Sequence, residues 1–115
     1  MIITPIKTAK MLPPKDDLEK LLTDSVAKLS ENSVVAIASK VVSIGEGNCL
    51  AADQVEDKDQ LIAQQADLYL SRDMVPEQWM THTVKENNLV GSAGIDESNG
   101  NGYLILWPKN PKQSA

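Results

Sequence analysis

A chain of 115 residues is about one domain's worth of sequence, and 42% hydrophobic with 23% charged residues is a folding balance rather than a disordered one. The 16 acidic against 11 basic side chains leave a net charge of −5, so no diffuse positive field exists to gather nucleic acid or anionic lipid. Two Trp, two Tyr and no Phe imply an aliphatic core and little with which to stack bases.

Residues 2–7 read as a first strand, followed by a loop that closes on Pro13 and Pro14. Asp16, with Glu19 three positions on, forms a capping pattern ahead of Leu18, Leu21, Leu22, Val26 and Leu29, which recur on one face and predict a helix over 17–29. The run Val34-Val35-Ala36-Ile37-Ala38 is short and uniformly apolar, the pattern of a buried strand, with Ser39 and Lys40 at its end. Gly45 and Gly47 signal a hairpin or bulge that leads into a short segment over 48–51. Asp57, with Gln60 at the capping distance, opens a second helix whose Leu61, Ile62, Gln65, Leu68 and Tyr69 share a face.

Beyond Pro76, Trp79, Thr81, Thr83 and Lys85 alternate with Gln78, Met80, His82 and Val84, which predicts a strand. Asn87 and Asn88 turn the chain into a short strand over 89–92, and a loop over 94–102 leads to the last strand, 103–107. Pro108 and Pro111 end that strand, leaving residues 112–115 as a flexible polar tail. The sum is an α+β fold: two helices and a mixed, largely antiparallel sheet in one compact domain over 1–115.

Cys49 stands alone, so no intramolecular disulfide forms and a reducing cytoplasm is expected. Pro5 and Lys7 interrupt the apolar start before a signal-peptide core develops, and no apolar run approaches the ~20 residues that span a bilayer. His82 is the sole imidazole, and its place in an alternating strand gives it a structural reading rather than a zinc or triad role.

The densest chemical candidate is the segment Ser92-Ala93-Gly94-Ile95-Asp96-Glu97-Ser98-Asn99-Gly100-Asn101-Gly102. Its small residues let backbone N–H groups approach a ligand, Asp96 and Glu97 offer hard oxygens to a divalent cation, and Asn99 offers an amide. The same Asp, Ser and Asn residues also suit tight turns. Ser39 and Lys40 form a second candidate, a hydroxyl and an ammonium able to hold phosphate oxygens or to sit solvated at a strand end. Gly45 and Gly47 lack the frame of a P-loop, and Lys7 and Lys10 are free to face anions or solvent.

Three blocks, read in order, carry a resemblance. They are Pro5-Ile6-Lys7-Thr8 with Leu12-Pro13-Pro14-Lys15-Asp16-Asp17-Leu18; then Ala38-Ser39-Lys40-Val41-Val42-Ser43-Ile44-Gly45-Glu46-Gly47; then the glycine-rich segment through Tyr103 with Trp107-Pro108-Lys109-Asn110-Pro111. Together they resemble the coenzyme F-420-0:L-glutamate ligase family, most of all its bacterial branch assigned to folate metabolism as gamma-glutamate ligases.

The resemblance implies amide formation between a substrate carboxylate and the amino group of L-glutamate, driven by GTP through an acyl phosphate. It further implies a required Mg2+ or Mn2+ ion and a homodimer. Carried over by motif, Asp96 corresponds to the family's metal-binding aspartate, and Ser39, Lys40 and Asn99 to its guanine-nucleotide contacts. Residues 9–12 stand where the family has another nucleotide-contacting loop, with a poor residue match. Ser43-Ile44 replaces a basic continuation of the Ser-Lys motif and removes one phosphate contact. The family pattern continues past the half seen here, with a second acidic metal ligand in that remainder. The expectation is therefore part of a ligase site, with a non-catalytic module for self-association or partner binding as the alternative.

Overall fold

Asp17 caps the first helix, α1 (Leu18–Ser25), by accepting a hydrogen bond from the Lys20 N–H at 2.9 Å. Leu21 faces inward, but the helix stops at Ser25 rather than running to Leu29, which is 56% exposed and so adds little buried apolar face to hold a longer helix. The computed structural model describes residues 1–75 and 80–114.

The largest departure from the sequence reading follows. Residues 34–38 are not a buried strand: they are extended and exposed, Val34 at 92%, and they run into a helix, α2 (Ser39–Glu46). Ser39 and Lys40 therefore open a helix instead of ending a strand. The helical spacing of Val41 and Ile44 places both against Met11, Leu21 and Ile105, a packing gain that overrides the β-branched propensity of the run. Gly45 lies inside this helix rather than in a hairpin. A Cβ there would sit 2.8 Å from Leu18 Cβ, so its absence is what lets α1 and α2 approach. Gly47, at φ 68, is the left-handed cap of α2, with its N–H on Ile44 O and that of Asn48 on Ser43 O.

Residues 2–7 also form no strand; all of them are exposed, and among the described residues 1–11 and 27–37 make no backbone–backbone hydrogen bond. The short segment expected over 48–51 is β1 (Cys49–Ala51). Asp57 caps α3 (Lys58–Gln65) as expected, its carboxylate accepting from the Asp59 and Gln60 N–H groups. Leu61 and Ile62 are buried, whereas Leu68 and Tyr69 leave the helix for β2 (Leu68–Leu70), because Ala66 turns extended at ψ 149. Lys85 donates to Gln65 O and so satisfies an end carbonyl of α3.

The alternating stretch supplies β3 (His82–Lys85), while Pro76, Gln78 and Trp79 lie outside the described residues. Glu86 and Asn87, both at positive φ, make the two-residue turn into β4 (Asn88–Gly91). The last strand is β5 (Tyr103–Ile105), and Pro111–Ser114 forms a single helical turn, α4, whose Ser114 Oγ donates to Glu46. β1 and β5 pair antiparallel as one sheet, and β2, β3 and β4 as another. The α+β class, with antiparallel pairing throughout one compact domain, is the one expected.

β5 joins the two parts of the core by its period of two. Ile105 packs with Met11, Leu21 and Ile44, while Leu104 and Leu106 pack with Leu61, Val55 and Ile95. Burying each such side chain contributes about 1.5–3 kcal/mol, so this short strand carries much of what holds the helices to the loops.

Candidate functional site

The glycine-rich segment is shaped from behind by Thr83, whose side chain is 1% exposed. Its hydroxyl donates to Val90 O and accepts the Ala93 N–H at 2.8 Å, while the Ser92 N–H reaches Thr81 O at 2.7 Å. These bonds hold a left-handed turn in which Ser92, Ala93 and Gly94 have φ of 50, 54 and 72. A Cβ on Gly94 would stand 2.4 Å from Trp107 Cε3, so glycine is required by contact as well as by φ.

Asp96 follows as an isolated bridge to Ile105, with N–H to carbonyl bonds of 2.9 and 2.8 Å in the two directions. Its backbone is thereby fixed to the core strand. Asn99, at φ 63, then turns the chain, and the Gly100 N–H closes on Glu97 O at 3.2 Å.

Three side chains converge on this frame. Lys40, in the first turn of α2, places Nζ 2.5 Å from Asp96 Oδ2 and 2.9 Å from Ser98 O. Ser98 Oγ donates to Asp96 Oδ1 at 2.8 Å. Burial pushes the Asp96 carboxyl up, but the hydrogen bonds from Lys40 and Ser98 outweigh it and hold the group below the usual aspartate range. The pair is half-buried, with side-chain exposures of 28% for Lys40 and 37% for Asp96. Glu97 points elsewhere, into an ion pair with Lys58 at the start of α3. Of the two carboxylates that the sequence offers, Asp96 alone meets Lys40.

Here an ammonium rests against one carboxylate oxygen and one backbone carbonyl. The oxygen donors suit Mg2+ or Mn2+, which bind through one or two carboxylates and complete their shells with water and phosphate. Among the described residues no three His, Cys, Asp or Glu side chains gather closely enough to hold a metal by themselves. The donor set thus fits one carboxylate of such a site.

The other sequence candidates are placed as follows. Ser39 is the first residue of α2, exposed, and lines a cleft of about 440 Å³ with Leu22, Val26, Val35, Ile37 and Pro108; that cleft reaches neither Lys40 nor Asp96. Asn99 is exposed in its turn, three positions past Asp96. In the 9–12 segment Met11 is buried in the core, while its neighbours Lys10 and Leu12 are exposed. His82 is an exposed residue of β3, away from the convergence. At the departure from the Ser-Lys motif, Ser43 and Ile44 are both buried in α2, so position 44 faces the core rather than a phosphate.

Sequence reasoning did not single out Ser98, Lys58 or Thr83. Ser98, two residues past an aspartate, carries the local signature of a side-chain turn. Lys58 and Thr83 carry no such signal, since their roles depend on partners 39 and 10 positions away.

Comparison with known proteins gives two matches. Residues 6–115 fit the family model described as F420-0:Gamma-glutamyl ligase. Coenzyme F420:L-glutamate ligase of Methanopyrus kandleri is 32% identical over 130 residues, an alignment that takes in 98% of this chain and 50% of that protein. The chain therefore spans about half the length of this curated relative. No solved structure matches it.

Proposed function

The chain belongs to the F420-0:gamma-glutamyl ligase family, and from that premise we propose that it forms part of a GTP- and divalent-metal-dependent γ-glutamyl ligase. In this reading a carboxylate of the acceptor takes the terminal phosphoryl group of GTP, releasing GDP and forming an acyl phosphate. The amino group of L-glutamate then attacks the acyl carbon, phosphate leaves, and loss of a proton gives the amide. The names of the family and of the relative favour a precursor of coenzyme F420 over a folate as the carboxylate-bearing acceptor.

The observation that carries this reading is the meeting of Lys40 with Asp96 and Ser98, the last 58 positions away in sequence. Ser39 and Lys40 stand at the positive end of the α2 dipole, where a phosphate oxygen is favoured and a lysine acts as a mobile point charge. Asp96 is the metal ligand of this chain, and Asn99 offers its exposed amide to the nucleotide. A bound Mg2+ or Mn2+ ion supplies charge that offsets the phosphate oxygens during transfer. The protein's own part is to hold and orient, since Asp96 is fixed by β5 and Lys40 by a helix.

Thermal melting of the 115-residue chain with GTP or ATP, each with and without Mn2+, tests the reading. A ligand at 100 times its dissociation constant adds about 2.7 kcal/mol, a shift of several degrees. The expected result is a metal-dependent shift with GTP that Asp96→Ala abolishes; no shift under any condition would leave the motifs without a ligand.

A second reading has its own observation. Met1 is fully exposed, with Ile2 at 94% and Ile3 at 78%, and these join Val34 as apolar extended chain with no backbone partners among the described residues. Such segments support self-association as a homodimer, with or without catalysis. Light scattering that finds only monomer at high concentration would count against it. Among the described residues no helix is long and apolar enough to cross a membrane. Burial pushes the Cys49 thiol up and away from the reactive thiolate, and a reducing cytoplasm is the setting this reading takes.

A further inference from the structure

The oxygens that would receive a divalent cation already hold a cation of the protein's own. Lys40 Nζ engages Asp96 Oδ2 and Ser98 O, and Ser98 Oγ engages Asp96 Oδ1, so both carboxylate oxygens are already in use. Glu97 gives no relief, because its carboxylate is committed to Lys58. A divalent ion arriving alone must therefore displace Lys40 from its oxygens or share them with it. It then faces that ammonium across a short gap, with one carboxylate to balance both. A nucleotide changes the balance. Its phosphates offer Lys40 new oxygens at the end of the same flexible stem and bring the negative charge that lets ammonium and metal coexist.

Resting on the assignment of Asp96 to the metal and Lys40 to phosphate, we infer that Lys40 is a built-in competitor. It occupies the Asp96–Ser98 oxygens until phosphate draws it away, so that metal and nucleotide are taken up together rather than metal first. Such coupling is reciprocal: whatever factor GTP adds to the affinity for metal, metal adds to the affinity for GTP. Ser98 is a positioning residue in this scheme, since it holds Lys40 through its carbonyl and Asp96 through its hydroxyl.

The test is Mn2+ binding to the whole chain, read from the paramagnetic resonance of the free ion, with and without GTP. It compares the unaltered chain with Lys40→Met, Lys40→Gln, Lys40→Arg and Asp96→Asn, with folding checked by circular dichroism. Without nucleotide, removing the ammonium in Lys40→Met or Lys40→Gln should tighten Mn2+ binding about fivefold, the equivalent of a half-exposed ion pair worth about 1 kcal/mol. Lys40→Arg should behave like the unaltered chain, and Asp96→Asn should not bind. Adding GTP should tighten Mn2+ for the unaltered chain and far less for Lys40→Met. Equal Mn2+ affinity in the unaltered chain and both uncharged variants, with Asp96→Asn still inactive in binding, would overturn the competitor and leave the metal assignment standing. Mn2+ binding by Asp96→Asn equal to that of the unaltered chain, or none by any form even with GTP, would overturn the assignment itself and the competitor with it.

Discussion

The hairpin of β3 and β4 and the extended segments 1–11 and 34–37 share β-branched residues, yet one forms a full ladder and the others make no backbone–backbone hydrogen bond among the described residues. The hairpin needs a turn of only Glu86 and Asn87 to bring its strands together, so pairing costs little loop entropy. Val34-Val35-Ala36-Ile37-Ala38 has no strand waiting within a short loop, and its neighbour in the chain is a helix. An apolar run states what a chain would bury; a partner of suitable register decides whether it becomes a strand.

Substitutions separate the two regions by size of effect. Ile105 is 1% exposed and touches both the helical core and Asp96, so Ile105→Ala should cost about 2–5 kcal/mol in chemical denaturation. Val34→Ala, at a residue 92% exposed, should stay within about 0.5 kcal/mol; comparable losses at the two positions would erase the distinction. Gly94→Ala should cost about 2–4 kcal/mol, because the new methyl meets Trp107 at a φ that L residues resist. Asp57→Ala, removing the cap of α3, should cost about 1 kcal/mol and leave the extended segments untouched, as hydrogen exchange would report.

The smallest effect concerns the fastening of the first open segment. Asp16 accepts the Leu12 N–H at 3.0 Å and the Asp17 N–H at 2.8 Å, and these bonds, the Leu12 one foremost, hold its carboxyl below the ordinary value of 3.8. A depressed folded pKa contributes stability that is present above the unfolded value and lost as pH falls through the folded one. Asp16→Asn should therefore slightly lower stability at neutral pH and flatten the acid limb of the stability curve below about pH 4. An unchanged acid limb would mean that the carboxylate does not anchor the segment.

Where partners are local, the sequence was a good guide. Asp57 with Gln60 marked the start of α3, and the glycine-rich segment marked the loop that carries Asp96; the turn expected at Asn87 and Asn88 lies one residue earlier, at Glu86 and Asn87, with Asn88 opening β4. The helix at Ser39–Glu46 was hidden because its residues read as strand formers. What makes them helical is the match of Val41 and Ile44 to a surface made by Met11, Leu21 and Ile105, together with the room Gly45 leaves for Leu18. The site divides in the same way. Lys40 and Asp96 each stood out by residue type, but nothing in their own segments says that they meet. That follows from α2 packing on β5 and from the bridge that fixes Asp96 to Ile105.

The left-handed turn over Ser92–Gly94 also ties the loop to the hairpin before it. Unfolded L residues seldom visit such φ values, so two of them in succession are not formed in advance. The bonds that hold them come from Thr83 of the strand before and from Thr81 just ahead of that strand, and the Thr83 hydroxyl itself donates to Val90 of the strand after. The turn is therefore only as firm as the hairpin it is bonded to. Asp96 is thus gripped from two sides, by Ile105 through the bridge and by the hairpin through the turn two residues before it, so that slack in either is felt at the ion pair with Lys40.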